Sequence, residues 1–302
     1  MLWKDSRRKP LFGFTLGLAA ACAVGAAERP EATADHPVAK TVKLASGVQL
    51  QYVAQGYNDG IPVILLHGYS DSWHSWDRLL PMLPQQLRVY AYSQRGHGVS
   101  DRPDSGYTFK DLSNDLAQFM DAMGVQSAVL VGHSMSSGVV RQFALDYPER
   151  VRGLVLEAGF ATWKGSPVLE AFWNETISKL EDPIDRSFAE EFQRSTLKRP
   201  VPPEFFNMVV GESLRLPARV WKDVFRNFMA VDFSADTRTI TAPTIIVWGD
   251  QDTFADLAEQ LKLQAAIPGS RLITYVGTGH GMHWEEPEKF ARDLINFAKS
   301  VK

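Results

Sequence analysis

Val129-Leu130-Val131-Gly132-His133-Ser134-Met135-Ser136 reads as a strand, a tight turn and the start of a helix. Residues 128–131 form a short apolar run, as expected of a strand buried on both faces. Residues 135–147 read as a helix. Gly132 and Ser136 flank Ser134 at two positions on either side. A turn that passes from strand to helix this sharply holds its central residue in a strained backbone conformation, and only small neighbours avoid clashes there. Such a turn pushes the Ser134 hydroxyl outward. It also puts the Met135 N–H at a helix start, where unpaired N–H groups can receive a developing oxyanion.

Working outward, the same strand–helix rhythm runs along the chain. Residues 62–66, 87–92, 151–156, 244–248 and 271–276 read as further strands. Residues 38–44 and 48–54 flank Ser46-Gly47 and read as a hairpin. Thr108 is an N-cap for a helix that runs toward Met123 and stops at Gly124. Phe290, Leu294 and Phe297 mark one face of a final helix. This alternation predicts an α/β fold, with a mostly parallel central sheet and helices on both faces. Residues 161–236 break the rhythm. They turn helical, are punctuated by Pro167, Pro183, Pro200, Pro202, Pro203 and Pro217, and are rich in aromatics. We read them as a helical cap insertion. Most of its aromatics form its own core and a few line a pocket.

The chain has 302 residues, 45% of them hydrophobic and 22% charged, which suits a globular core and argues against disorder. A formal net charge of −3 offers no basic field for nucleic acid. With one cysteine there is no intrachain disulfide, and a cysteine-built zinc site is not expected. Residues 1–27 read as a signal peptide. Lys4, Arg7, Arg8 and Lys9 precede the apolar run 11–24, and Gly25-Ala26-Ala27 supplies small residues for cleavage. That run is too short to span a bilayer comfortably. The reading is an exported protein, periplasmic or secreted, without stable membrane insertion once the leader is removed. The alternatives are an anchor through the uncleaved leader or a lipidated Cys22. The domain reading is 37–160 and 237–302 as core, with 161–236 as cap.

The segment around Ser134 resembles the nucleophile elbow of the α/β-hydrolase fold family, G-x-S-x-G, with Ser136 replacing the second glycine. Three more motifs resemble that family. Leu65-Leu66-His67-Gly68-Tyr69 ends a strand, and the resemblance implies the Tyr69 N–H as second oxyanion donor beside Met135. Arg95-Gly96-His97-Gly98-Val99-Ser100 resembles the family's turn after the fourth strand. Downstream, Gly249-Asp250-Gln251-Asp252 and Gly279-His280 look like its acid and histidine loops. By that resemblance Asp252 is the acid and His280 the base, in the chain order Ser134, Asp252, His280. Asp250 and Glu157 are alternative acids, since some members of this fold carry the acid at the strand end where Glu157 stands. His283 is expected to face the pocket or solvent, and His133 to pack at the elbow.

A serine hydroxyl becomes a useful nucleophile when a base takes its proton, and an imidazole can do so near neutral pH. The expected activity is a serine hydrolase that cleaves a small or medium carboxylic ester or lactone through an acyl-enzyme. No cofactor or metal is expected. Three alternatives remain: a cofactor-free perhydrolase of haloperoxidase type, a carbon–carbon bond hydrolase, and a slow ligand-binding relative of such enzymes. An aspartate attacks at this elbow in epoxide hydrolases and haloalkane dehalogenases, so Ser134 disfavours those activities. The partner is a small acyl compound.

Overall fold

The computed structural model describes residues 37–233 and 237–301. The leader at 1–27, Cys22 included, lies outside the described residues. Eight strands form one sheet: β1 (Lys40–Lys43), β2 (Gln49–Gln55), β3 (Ile61–Leu66), β4 (Leu87–Tyr92), β5 (Ala128–His133), β6 (Val151–Glu157), β7 (Thr244–Gly249) and β8 (Arg271–Tyr275). Their order is β1-β2-β4-β3-β5-β6-β7-β8. The β1–β2 and β2–β4 pairs are antiparallel, and every later pair is parallel. This matches the predicted hairpin followed by a parallel sheet.

The central strands β3 to β7 are buried on both faces, and strand alternation divides their side chains between them. Ile64, Leu66, Leu130, Leu154 and Leu156 cluster with α1 (Phe109–Ala122) and α2 (Met135–Asp146). Their neighbours Val63, Leu65, Val129, Val131 and Val155 cluster with Phe290, Leu294 and Phe297. Burying each such side chain stabilises the fold by about 1.5–3 kcal/mol. Thr108 caps α1 through a reciprocal box with Asp111. Arg95, in the turn after β4, pairs with Asp115 of α1 through both carboxylate oxygens, at 2.5 and 2.6 Å. That motif is therefore a brace between turn and helix.

Between β6 and β7 lie α3 (Pro167–Glu175), α4 (Arg186–Ser195), α5 (Pro203–Arg215) and α6 (Ala218–Met229), and among the described residues this region carries no strand. Beyond β7 come α7 (Leu257–Ala266), α8 (Met282–Glu285) and α9 (Pro287–Ser300). α7 shows no apolar face in the sequence, because it buries only Gln260 and Leu263 and leaves Leu257 and Leu261 exposed. Its N-cap was legible: the Asp256 side chain accepts from Glu259 N–H. Among the described residues no helix is long and apolar enough to cross a membrane.

Candidate active site

The parallel strands β5, β7 and β8 all end at one edge of the sheet, where ligands bind in open α/β folds. Ser134 sits between β5 and α2 with φ 51° and ψ −115°, the strained conformation expected of the turn. Its N–H donates to Glu157 O at 2.8 Å, and its own carbonyl accepts from Ser137 N–H at 2.9 Å. Gly132 is required by contact. A Cβ on Gly132 would stand 2.3 Å from Ser136 O. Ser136 does more than the glycine it replaces: its hydroxyl donates to His67 O and accepts from Gln94 Nε2 at 2.9 Å, tying α2 to the β3 and β4 turns.

The structure brings Ser134, His280 and Asp252 into one hydrogen-bonded line. The Ser134 hydroxyl lies 2.7 Å from His280 Nε2, and His280 Nδ1 lies 2.8 Å from Asp252 Oδ2. The other Asp252 oxygen accepts from Phe254 N–H at 2.8 Å and Ala255 N–H at 3.3 Å. With its carboxylate so held, Nδ1 carries the proton and Nε2 is the free base. Burial opposes protonation of His280. The Asp252 charge and hydrogen bond, helped by Glu157 and Asp71, outweigh it and raise the pKa above the ordinary histidine value. Main-chain contact with the insertion fixes the histidine loop: His280 N–H donates to Thr196 O at 2.8 Å. Nearby, the Glu285 carboxylate accepts from the N–H groups of Lys198, Arg199 and Gly279.

Asp250, the rival two residues earlier, accepts from Gly277 N–H at 2.6 Å and braces the β7 and β8 ends. Glu157 likewise does not bond His280. Its Oε1 accepts from His283 N–H at 2.9 Å and from His283 Nδ1 at 2.8 Å. The expected placement of His283 at the pocket or solvent is therefore corrected. The ring is fully buried, and its Nε2 lies 3.0 Å from the Ser75 hydroxyl. The physical reason is the α8 turn, which swings His283 behind His280 to meet a buried carboxyl that needs a partner. Burial pushes the Glu157 pKa up to about 7, against lowering by His133 and the His283 N–H. His133, Glu157 and His283 bring potential ligand atoms within 4.8 Å of one another. His283 already uses both ring nitrogens, so the cluster is held by hydrogen bonds.

Tyr69 and Met135 line a cavity of about 60 Å³ that also reaches Ser134 and His280. Among the described residues neither backbone N–H has a protein acceptor. The Tyr69 side chain has a separate task, since its hydroxyl donates to Trp221 O at 2.7 Å and fastens the insertion. Most of the cavity wall is aromatic, with Phe160, Trp163, Phe192, Phe225 and Phe228 among its residues. Asp71 and Gln193 also line it and were missed in the sequence. Asp71 left one signal: an acid two residues past the Tyr69 turn.

A family model described as the alpha/beta hydrolase fold matches residues 61–287. The chain belongs to that family. It is 29% identical over 279 residues to a non-heme chloroperoxidase of Streptomyces lividans, spanning 86% of this chain and 99% of that protein. It is 25% identical to a bifunctional esterase/perhydrolase of Acinetobacter calcoaceticus, over 86% of this chain and 99% of that one. The solved structure of an esterase from Exiguobacterium antarcticum superposes with a TM-score of 0.78 at 20% identity, covering 87% of this chain and all of that one, which shows the shared fold.

Proposed function

We propose that the protein is a serine hydrolase that cleaves a small or medium carboxylic ester or lactone. The observation that carries this reading is the 2.7 Å contact between the Ser134 hydroxyl and His280 Nε2, in line with Asp252. In this mechanism Nε2 takes the hydroxyl proton as Ser134 Oγ attacks the substrate carbonyl. The oxyanion that forms is received by the N–H groups of Tyr69 and Met135. The imidazolium, stabilised by Asp252, then protonates the leaving group. Water, activated by the same nitrogen, attacks the acyl-enzyme; acid is released and Ser134 recovers its proton. In this reading the helical insertion caps the cleft, and the leader at 1–27 directs export.

Ester-cleaving and haloperoxidase names among the relatives support a second reading. Hydrogen peroxide would intercept the same acyl-enzyme and give a peracid in place of the acid. Labelling with a fluorophosphonate tests the shared step. The expected result is one adduct on Ser134, and an adduct elsewhere or none overturns both readings. Peracid formation at added peroxide, measured against acid formation without it, ranks the two. Because His280 must be neutral to act as base, kcat/KM is expected to rise with pH. The raised His280 pKa sets the midpoint of that rise above 6.5, the ordinary histidine value. A midpoint at or below that value removes His280 from the role.

A further inference from the structure

The catalytic cavity is closed on one side by three phenyl rings. Phe172 of α3, Phe192 of α4 and Phe254 of the loop after β7 line it. The same three residues also line an outer cleft of about 240 Å³ between α3 and α4. Each is half-buried, as expected of a partition between two spaces. The rings form a continuous row outward from the general base. Centroid to centroid, Phe254 lies 5.1 Å from the His280 ring, Phe192 lies 6.5 Å from Phe254, and Phe172 lies 6.2 Å from Phe192. The Phe254 backbone is fixed, since its N–H donates to Asp252 Oδ1 at 2.8 Å. Its ring can therefore turn aside about its own side-chain torsions without moving the acid.

We propose that the alcohol part of the substrate passes this partition and binds in the outer cleft, so that the preferred substrates are open-chain esters of a short acid with a bulky, uncharged apolar alcohol. This rests on the hydrolase reading above and deepens it.

The chemistry of the base sets which end of the ester lies where. His280 Nε2 must hand its proton to the leaving oxygen, so the alcohol departs on the histidine side of Ser134. Phe254 packs on that imidazole, which puts the partition in the alcohol's path. The acyl chain stays in the inner cavity. At about 10–15 Å³ for each water-sized group, 60 Å³ takes about four to six of them, enough for the ester group and a short chain. The outer cleft has four phenyl rings in its lining, Phe188 with the three of the partition. Glu191 lines it too and opposes an anionic alcohol. A second outer cleft meets the inner cavity at Phe160, Leu169 and Phe254. There Phe160 and Leu169 are buried, and Lys164, Asp256, Glu259 and Lys262 line the space beyond. Charged walls make it the poorer seat for an apolar group.

The test uses two isomers, benzyl acetate and methyl phenylacetate, which carry one phenyl ring on the alcohol side or on the acid side. Their leaving alcohols are close in acidity, so intrinsic reactivity does not set the ratio. In wild type kcat/KM is expected to favour benzyl acetate by roughly tenfold or more, as one ring is buried in the cleft and the other is refused by the cavity. Ser195→Trp fills the cleft from a position that does not line the cavity, and it is expected to bring the ratio toward one. A disturbance of the adjoining Thr196 carbonyl would slow both isomers alike and leave the ratio as it was. Phe254→Ala removes one ring of the partition and keeps the N–H that holds Asp252. In that variant naphthalen-2-ylmethyl acetate is expected to gain roughly tenfold or more on benzyl acetate. Equal turnover of the isomers in wild type, or a preference for methyl phenylacetate, overturns the proposal. So does an unchanged ratio in Ser195→Trp together with no gain in Phe254→Ala. If Ser134 takes the fluorophosphonate in those cases, the hydrolase reading stands and only the placement of the alcohol falls.

Discussion

Ser134→Ala is expected to lower ester turnover by about 10⁶-fold, the scale on which a triad serine acts together with its base. The argument starts from the backbone. The φ of 51° is imposed by the turn between β5 and α2, so alanine meets the same strain as serine and gains no relief. The lost hydroxyl bonded His280 alone, and its site is not fully buried. Thermal stability should therefore stay near wild type while catalysis disappears. The residual rate would come from the oxyanion N–H groups and the cavity acting on water. Turnover that survives within tenfold of wild type would move the nucleophile to another residue. Steady-state kinetics beside a melting curve reads both quantities.

Asp252→Asn is expected to reduce kcat by about 10⁴-fold, because an amide can present an N–H to Nδ1 and so invert the imidazole tautomer. The Ser134 hydroxyl would then face an N–H in place of a lone pair. Glu157→Gln makes the informative comparison. Glu157 is fully buried and close enough to influence His280, but its hydrogen bonds go to His283. A charge felt only through space moves a neighbouring pKa by about one unit, so this change should alter kcat by less than about tenfold. It should also shift the acid limb of the pH profile downward, since one of the charges that raises the His280 pKa is gone. If Glu157→Gln is the crippling substitution and Asp252→Asn the mild one, the acid has been assigned to the wrong strand.

What could be read from the residues followed from local rules. Strand and helix periods, the Thr108 cap and the small residues around Ser134 act within a few positions of themselves, and each appears where it was expected. The hydrogen bonds from Ser134 through His280 to Asp252 join three loops whose strand ends the parallel sheet aligns. His283 was misplaced for the opposite reason. Its partner, Glu157, lies 126 residues away in sequence, and only the packed fold brings them together. Gln193 was invisible on the same ground: nothing in α4 itself distinguishes a glutamine that faces the cavity from one that faces water. The aromatics of 161–236 were countable, but which of them line the cavity with Ser134 depends on how the four helices between β6 and β7 pack.

The bond from His280 N–H to Thr196 O, with the Glu285 carboxylate gripping residues 198 and 199, has an evolutionary consequence. Exchanging the whole 161–236 segment between homologues would replace Trp163, Phe192, Phe225 and Phe228 of the cavity wall. Here such a graft would also replace the carbonyl that holds the His280 loop. A productive chimaera must keep the Thr196 carbonyl and the two amides that Glu285 holds, and vary only the stretches on either side. The end of α4 is therefore the part of the segment that an exchange has to preserve.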